Sequence, residues 1–186
     1  NTFFTQAHFQ HDISSNITFQ ANAKYNRGYI NYVDSATLNT EGYQQSIYTQ
    51  NEFYGSVSAL FRLKQGFTFN YSTDVFVNNM FAQYENNVLT NQFARPVRYS
   101  FLNALAAKYT NNRIHITGSI LSTVVNDVTM INDSKNSWYK FSPFLSANYK
   151  PFLNTDLRFR LFYKNIFRLP TFNDLYYTRI GNADLK

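Results

Sequence analysis

The sequence predicts an all-β protein, about eight antiparallel strands forming a segment of a transmembrane β-barrel. Three observations carry this reading. Long runs alternate apolar and polar residues; short turns at one end of the runs answer longer polar connections at the other; and aromatic side chains, 15 Tyr and 19 Phe in 186 residues, gather toward the run ends. Successive strand side chains point to opposite faces, so strict alternation gives a sheet one apolar and one polar face. A membrane barrel with a watery interior needs that pattern, with aromatic girdles where the apolar band meets the headgroups.

The tight ends recur every 40–50 residues or so, at Ser14-Ser15-Asn16, Lys64-Gln65-Gly66, Asn111-Asn112 and Pro151-Phe152-Leu153-Asn154, where Gly, Asn and Pro supply the turn chemistry. The longer connections fall at about 34–43, 86–97 and 131–137, and in the tail after Pro170. This asymmetry is that of outer-membrane barrels, with turns periplasmic and loops extracellular.

Parity assigns the faces. The opening run alternates Phe3, Thr5, Ala7 and Phe9 with polar partners. Ile17, Phe19, Ala21, Ala23, Tyr25 and Tyr29 oppose Thr18, Gln20, Asn22, Lys24 and Asn26. Ile47, Phe53, Val57, Ala59, Phe61 and Leu63 oppose Glu52, Ser56, Ser58 and Arg62; Phe67, Phe69, Tyr71, Val75 and Val77 oppose Thr68, Asn70, Ser72, Asp74 and Asn78. Across residues 99–109 parity breaks down, because Phe101, Leu102, Leu105 and Ala106 fit neither face cleanly. Ile114, Ile116, Ile120 and Val124 then oppose His115, Thr117, Ser119 and Thr123, and Tyr139, Phe141, Leu145, Ala147 and Tyr149 oppose Lys140, Ser142, Asn148 and Lys150. Two aromatic belts are expected: Phe19, Phe67, Tyr109, Tyr149 and Phe152 near the turns, and Tyr29, Tyr48, Tyr84, Tyr99, Trp138 and Tyr139 near the loops.

The last run is the sharpest. Leu157, Phe159, Leu161, Tyr163 and Phe167 fall on one face, and Arg158, Arg160, Lys164 and Arg168 on the other. Neighbours on one strand face are about 6–7 Å apart, so these cations repel one another unless acids lie opposite. The acids on neighbouring polar faces are too few, which implies an acidic partner elsewhere.

Composition excludes several classes. No stretch reaches the 18–20 or so continuous apolar residues of a membrane helix, a finding that leaves barrels untouched. The net charge of +6 does not indicate nucleic-acid binding, since the basic residues sit at alternate strand positions and near turns. No cysteine is present to complete a metal site or act as a nucleophile. His8 and His11, three apart on a strand, point to opposite faces and cannot share an ion. No phosphate loop or serine elbow occurs, and nothing marks a carboxylate pair, so neither an enzyme nor a cofactor is expected.

Phe167-Arg168-Leu169-Pro170-Thr171-Phe172-Asn173-Asp174-Leu175-Tyr176-Tyr177, followed by Gly181-Asn182-Ala183-Asp184-Leu185-Lys186, resembles the FRxPT…LY…GNxxLKPE signature of TonB-dependent outer-membrane receptors. The family usually has Ala where Leu169 stands and Pro where Ala183 stands. The matching motif residues are Phe167, Arg168, Pro170, Thr171, Leu175, Tyr176, Gly181, Asn182 and Leu185.

The resemblance implies a barrel of about twenty-two strands filled by an N-terminal plug domain, in the outer membrane of a Gram-negative bacterium. It implies energy-coupled uptake of a scarce nutrient (cobalamin, a ferric siderophore or haem), with TonB acting through the plug. Arg158, Arg160, Lys164 and Arg168 would then face the plug and pair with its carboxylates. Tyr43, Trp138, Tyr139, Tyr176 and Tyr177, with Phe172, are the loop aromatics that a ligand would meet. The TFNDLYY and IGNADLK variants are most similar to Bacteroides-type receptors, for which cobalamin is the first expectation. The chain opens inside an alternating run and closes inside a motif, so residues 1–186 are expected to be part of the barrel domain, with plug and remaining strands outside them.

Two competing readings make different demands. A soluble β-sandwich binding carbohydrate through its aromatics would cover the apolar face with a second sheet. A self-sufficient eight-stranded barrel would crowd the basic stripe into a narrow lumen.

Overall fold

A computed structural model describes residues 2–34, 44–84, 93–131 and 135–176. They form one eight-stranded antiparallel meander in which each strand pairs with the next in sequence. The strands are β1 (Thr2–Ser14), β2 (Ile17–Asp34), β3 (Gln44–Arg62), β4 (Phe67–Tyr84), β5 (Pro96–Thr110), β6 (Ile114–Thr129), β7 (Lys135–Tyr149) and β8 (Phe159–Lys164). No second sheet covers either face among the described residues, which removes the sandwich.

The tight turns lie where the sequence places them. Between β3 and β4 a 3-10 turn, Lys64–Gly66, carries positive φ at Gln65 and Gly66. A Cβ at Gly66 would collide with the Thr110 carbonyl oxygen of β5, so glycine is required twice over. Between β5 and β6 the Asn111 Oδ1 accepts from the backbone N–H of Arg113 (2.8 Å) and of Ile114 (2.7 Å), closing the loop as an Asx turn.

Register fixes the faces. One row across the sheet runs Ala59, Tyr71, Leu105, Ile120 and Pro143; another runs Tyr25, Phe53, Val77 and Tyr99. Most large side chains in these rows are solvent-exposed in the isolated segment: Leu105 is 58 % and Ile120 55 % accessible. Burying such groups in hydrocarbon stabilises by about 25 cal/mol per Å², a gain that a bilayer offers to a face left uncovered among the described residues. From Phe67 to Val77 the outward face of β4 covers ten residue steps; at about 3.3 Å per residue and a tilt of about 40° this makes a band ~25 Å tall, a bilayer's hydrocarbon height.

The opposite face is polar and internally bonded. Thr18 donates to Asp12 at 2.6 Å, Arg62 donates to Thr18 at 2.9 Å, Asn22 donates to Ser56 at 2.9 Å, and Tyr54 donates to Asp74 at 2.7 Å. His8 bonds Asn22 on this face, while His11 pairs in register with Phe19 on the other.

Three expectations need correction. β5 alternates after all: Tyr99, Phe101 and Leu105 face outward, and Leu102, Ala104 and Ala106 inward. Its pattern reads ambiguously because the inner face is itself apolar here, with Ala104 in register with Leu121. β8 spans only Phe159–Lys164, leaving Leu157 and Arg158 in the preceding connection and breaking the alternation before Phe167. Phe167 instead lines an inner-face hollow of about 430 Å³ with Leu121, Phe144 and Lys164. Finally, the loop-end aromatics are not a single belt. Tyr29, Tyr99 and Tyr139 stand outward, whereas Tyr48, Tyr84 and Trp138 stand at inner positions, because their parity matches that of the polar residues.

Candidate functional site

The inner face at the loop end holds the buried core. Beyond β8 the chain leaves the sheet edge and crosses the inner wall as a strap. It ends in a short helix, α1 (Phe172–Tyr176), lying over β4, β5 and β6. The sequence builds this helix locally. Asp174 Oδ2 accepts from the Thr171 N–H at 2.7 Å and Thr171 Oγ1 accepts from the Asp174 N–H at 3.3 Å, a reciprocal capping box. Pro170 precedes the cap, where its missing N–H costs no helical bond. These bonds to Thr171 hold the Asp174 carboxyl below its usual range, helped by the nearby Arg168.

Phe172, Leu175 and Tyr176 pack on Met80, Ala82, Tyr84 and Phe93, with Tyr48, Ala94 and Trp138 at the margin. Phe93 and Ala82 are fully buried. The helical spacing of Phe172, Leu175 and Tyr176 (i, i+3, i+4) puts all three on one face of a single turn.

Beneath the helix lies a charged clasp. Arg98 of β5 donates to Asp127 of β6 through two bonds of 2.7 Å, Nε to Oδ1 and Nη2 to Oδ2. The carboxylate is fully buried and the guanidinium nearly so. The third guanidinium nitrogen, Nη1, donates to the Pro170 carbonyl at 2.8 Å, and Tyr176 donates its hydroxyl to Asp127 Oδ2 at 3.3 Å. The Arg98 plane is also sandwiched, 5.5 Å from the Trp138 ring centre and 5.0 Å from that of Phe172. Burial first, and Asp127 second, push the Tyr176 hydroxyl up to about 12, so it stays a donor at any physiological pH. The buried pair thus has all three guanidinium nitrogens and both carboxylate oxygens hydrogen-bonded, the condition under which such a pair is tolerated.

Among the expected motif residues, Phe167, Arg168, Pro170, Thr171, Leu175 and Tyr176 make up this strap; Gly181, Asn182 and Leu185 lie outside the described residues, as do Tyr43 and Tyr177. Tyr139 is outward and packs edge-on to Phe141. Trp138 is half-buried beside Arg98, and Tyr176 is buried in the clasp. Arg98 and Asp127, the residues that anchor everything, escaped sequence reasoning. Their signal was available: one inward-register cation and one inward-register acid on consecutive strands.

The expected basic stripe is divided: Arg158 and Arg160 lie on the inner side at the turn end, Lys164 stands at mid-height in register with Phe144, and Arg168 belongs to the strap, because β8 stops at Lys164. Arg160 donates to Asn148 Oδ1 at 2.8 Å, and Arg158 and Arg160 line a hollow with His115 and Asn148. The ion pairs among the described residues are Arg98–Asp127 and Lys150–Asp156, and neither reaches Arg160 or Lys164. No group of three or more potential metal ligands occurs among the described residues.

A polar inner wall, a lipid-height apolar outer band and short turns opposite long connections define a membrane-spanning barrel wall. The family profile described as TonB dependent receptor-like, beta-barrel, matches residues 1–186, and the chain belongs to this family. A search of curated proteins returns no match. The family is one of outer-membrane transporters of Gram-negative bacteria, working with a plug domain and TonB.

Proposed function

We propose that the chain is about eight strands of a barrel of about twenty-two, whose whole protein imports a large nutrient complex, with cobalamin first and ferric siderophores and haem as the alternatives. The motif variants TFNDLYY and IGNADLK support the cargo order. The observation that carries the mechanism is the division of the inner face. Its loop end is covered by the strap, and toward its turn end Arg158 and Arg160 stand with no ion-pair partner among the described residues.

In this reading the strap forms a fixed shelf at the mouth, with Trp138 at its margin and the loops above it meeting the cargo. Arg158, Arg160, Lys164 and Arg168 receive carboxylates of the plug, which holds the bore shut until TonB acts. The barrel makes and breaks no covalent bond.

Equilibrium binding of cyanocobalamin, ferric siderophores and haem to the purified full-length receptor tests the cargo. Binding of cobalamin in preference to the others is the expected result, and binding of none of the three overturns the reading. For the wall, Arg158→Glu with Arg160→Glu should expose the plug to limited proteolysis; unchanged protection would overturn the plug assignment.

A further inference from the structure

The inner wall has a second polar centre at the end opposite the clasp. His115 of β6 stands in register with Asn148 of β7, and Asn148 with Arg160 of β8. With Arg158 they line a hollow of about 480 Å³, inside the range of small-ligand sites, roughly 300–1,000 Å³. An adjoining hollow of about 260 Å³ shares His115, Asn148 and Arg158 and adds Arg113 and Lys150. Four cationic side chains therefore converge here, and among the described residues no carboxylate lines either hollow. Asp156 reaches Lys150 at 3.8 Å, but its side chain is 98 % exposed, and Arg113, Arg158 and Arg160 have no ion-pair partner among the described residues. The row Phe67, Tyr109 and Ile116 bounds the outer apolar band. His115 lies one residue beyond that row, so the hollows open at the turn-side mouth of the bore.

Two contacts set the polarity of this cluster. Arg160 Nε donates to Asn148 Oδ1 at 2.8 Å. That bond uses the amide oxygen as an acceptor and leaves the Asn148 amide nitrogen, with both terminal nitrogens of Arg160, as donors. The Thr110 hydroxyl lies 2.9 Å from His115 Nδ1, so Nε2 is the ring nitrogen left to meet a ligand. Two guanidiniums, an amide nitrogen and an imidazole around one hollow make a donor-rich, acid-free lining. Its complement is an oxyanion, since a planar guanidinium meets carboxylate or phosphate oxygens through two parallel bonds. A bound anion also offsets the repulsion among the four cations.

We propose that this hollow is a binding site for a small soluble oxyanion, phosphate or a phosphate ester, entering from the turn side. Arg158 and Arg160 bind its oxygens, Asn148 and His115 complete the donor set, and Arg113 and Lys150 supply the attracting field. The inference goes beyond the plug reading and does not depend on it. A plug carboxylate and a free phosphate share the same chemistry, and where both are present they compete for the same two guanidiniums.

The test is equilibrium dialysis of radiolabelled orthophosphate and pyrophosphate against the purified full-length receptor in non-ionic detergent, at about 0.15 M chloride. Affinity should fall roughly tenfold in Arg158→Gln and in Arg160→Gln, as for loss of a charge-assisted bond. Arg160→Lys, which keeps the charge and loses the fork, should also weaken binding. The inner-face control Arg62→Gln, whose arginine donates to Thr18 instead, should leave it unchanged. Plug proteolysis in the presence of phosphate separates the two sources: exposure of the plug identifies a displaced carboxylate, and unchanged protection identifies a hollow open to solution. Equal losses in Arg62→Gln and Arg160→Gln would reduce the site to a general field and overturn the proposal. No phosphate bound, while Arg158→Glu with Arg160→Glu still exposes the plug, would overturn it and leave the plug reading standing.

Discussion

Arg98 and Asp127 face each other across β5 and β6 through two bonds of 2.7 Å, and Asp127 has no solvent access. This one pair ties the wall to the strap, because Arg98 also holds Pro170 and Asp127 also accepts from Tyr176. Removing one partner leaves a buried charge, a loss of about 3–5 kcal/mol. Asp127→Ala in the full-length receptor is therefore expected to release residues 165–176 to proteolysis. The double replacement Arg98→Met/Asp127→Leu should recover much of the loss, and additivity of the two single costs in a double-mutant cycle would contradict the coupling.

The cap makes a smaller, pH-dependent contribution. Thr171→Ala should cost about 1 kcal/mol of helix stability, and Thr171→Ser should restore it. Asp174 has a folded pKa below its unfolded value, so its contribution is present above the unfolded carboxylate range, near pH 4, and is lost as pH falls through the folded value. The hydrogen-exchange protection factors of α1, corrected for the intrinsic pH dependence of amide exchange, should fall on acidification in the wild type and lose that acid dependence in Asp174→Asn.

Tyr176 titrates in the opposite sense. Its folded pKa, about 12, stands above the usual 10, so the stability it gives is fully present below pH 10 and is lost as pH rises toward 12. The 295 nm difference absorbance between wild type and Tyr176→Phe should show one phenol that resists ionisation until the strap lets go. A midpoint near 10 would mean that the hydroxyl is not buried against Asp127.

Much of the wall was legible in the sequence and the clasp was not, for a physical reason. Period-two alternation reports which solvent a side chain meets, so Phe67 to Val77 or Ile114 to Val124 could be oriented residue by residue. It fails where both sides are apolar, as at Leu102 and Ala106, and where the chain leaves the sheet, as at Phe167. Tyr48, Tyr84 and Trp138 looked like a loop-side girdle because aromatics suit both a headgroup layer and a packed core. Only their parity, read against the polar residues of their own strands, separates the two. The motif at Pro170, Thr171 and Tyr176 was visible as a signature, but its partners Arg98 and Asp127 lie 72 and 49 residues away in hydrogen-bonded contact and carry no local pattern.

The helix face and the sheet edge make a matched pair of side-chain deletions. Phe172 is buried against Met80 and Tyr84, so Phe172→Ala should cost about 3–5 kcal/mol. Phe162, on β8, is 70 % exposed in the segment, and Phe162→Ala should cost far less here. In the whole receptor an equal loss at Phe162 would mean that another part of the protein covers it. Thermal unfolding of both variants in the same detergent measures the difference.

The two-solvent division is tested by moving one charge across the wall. Ile120 stands mid-band on the outer face of β6, in register with Leu105 and Pro143, and its neighbour Ser119 stands on the inner face. In lipid, Ile120→Arg should cost about 2–4 kcal/mol, the depth-dependent penalty of a cation near the bilayer midplane. Ser119→Arg, one residue away on the watery side, should cost much less, because its guanidinium keeps its hydration. Folding into vesicles, read by the heat-dependent gel shift of intact barrels, gives both numbers. If the two substitutions cost the same, the faces do not meet different solvents and the barrel reading falls with them. If Ser119→Arg costs more, the inner wall at that height is packed dry, and Leu121 and Phe144 beside it would be the side chains responsible.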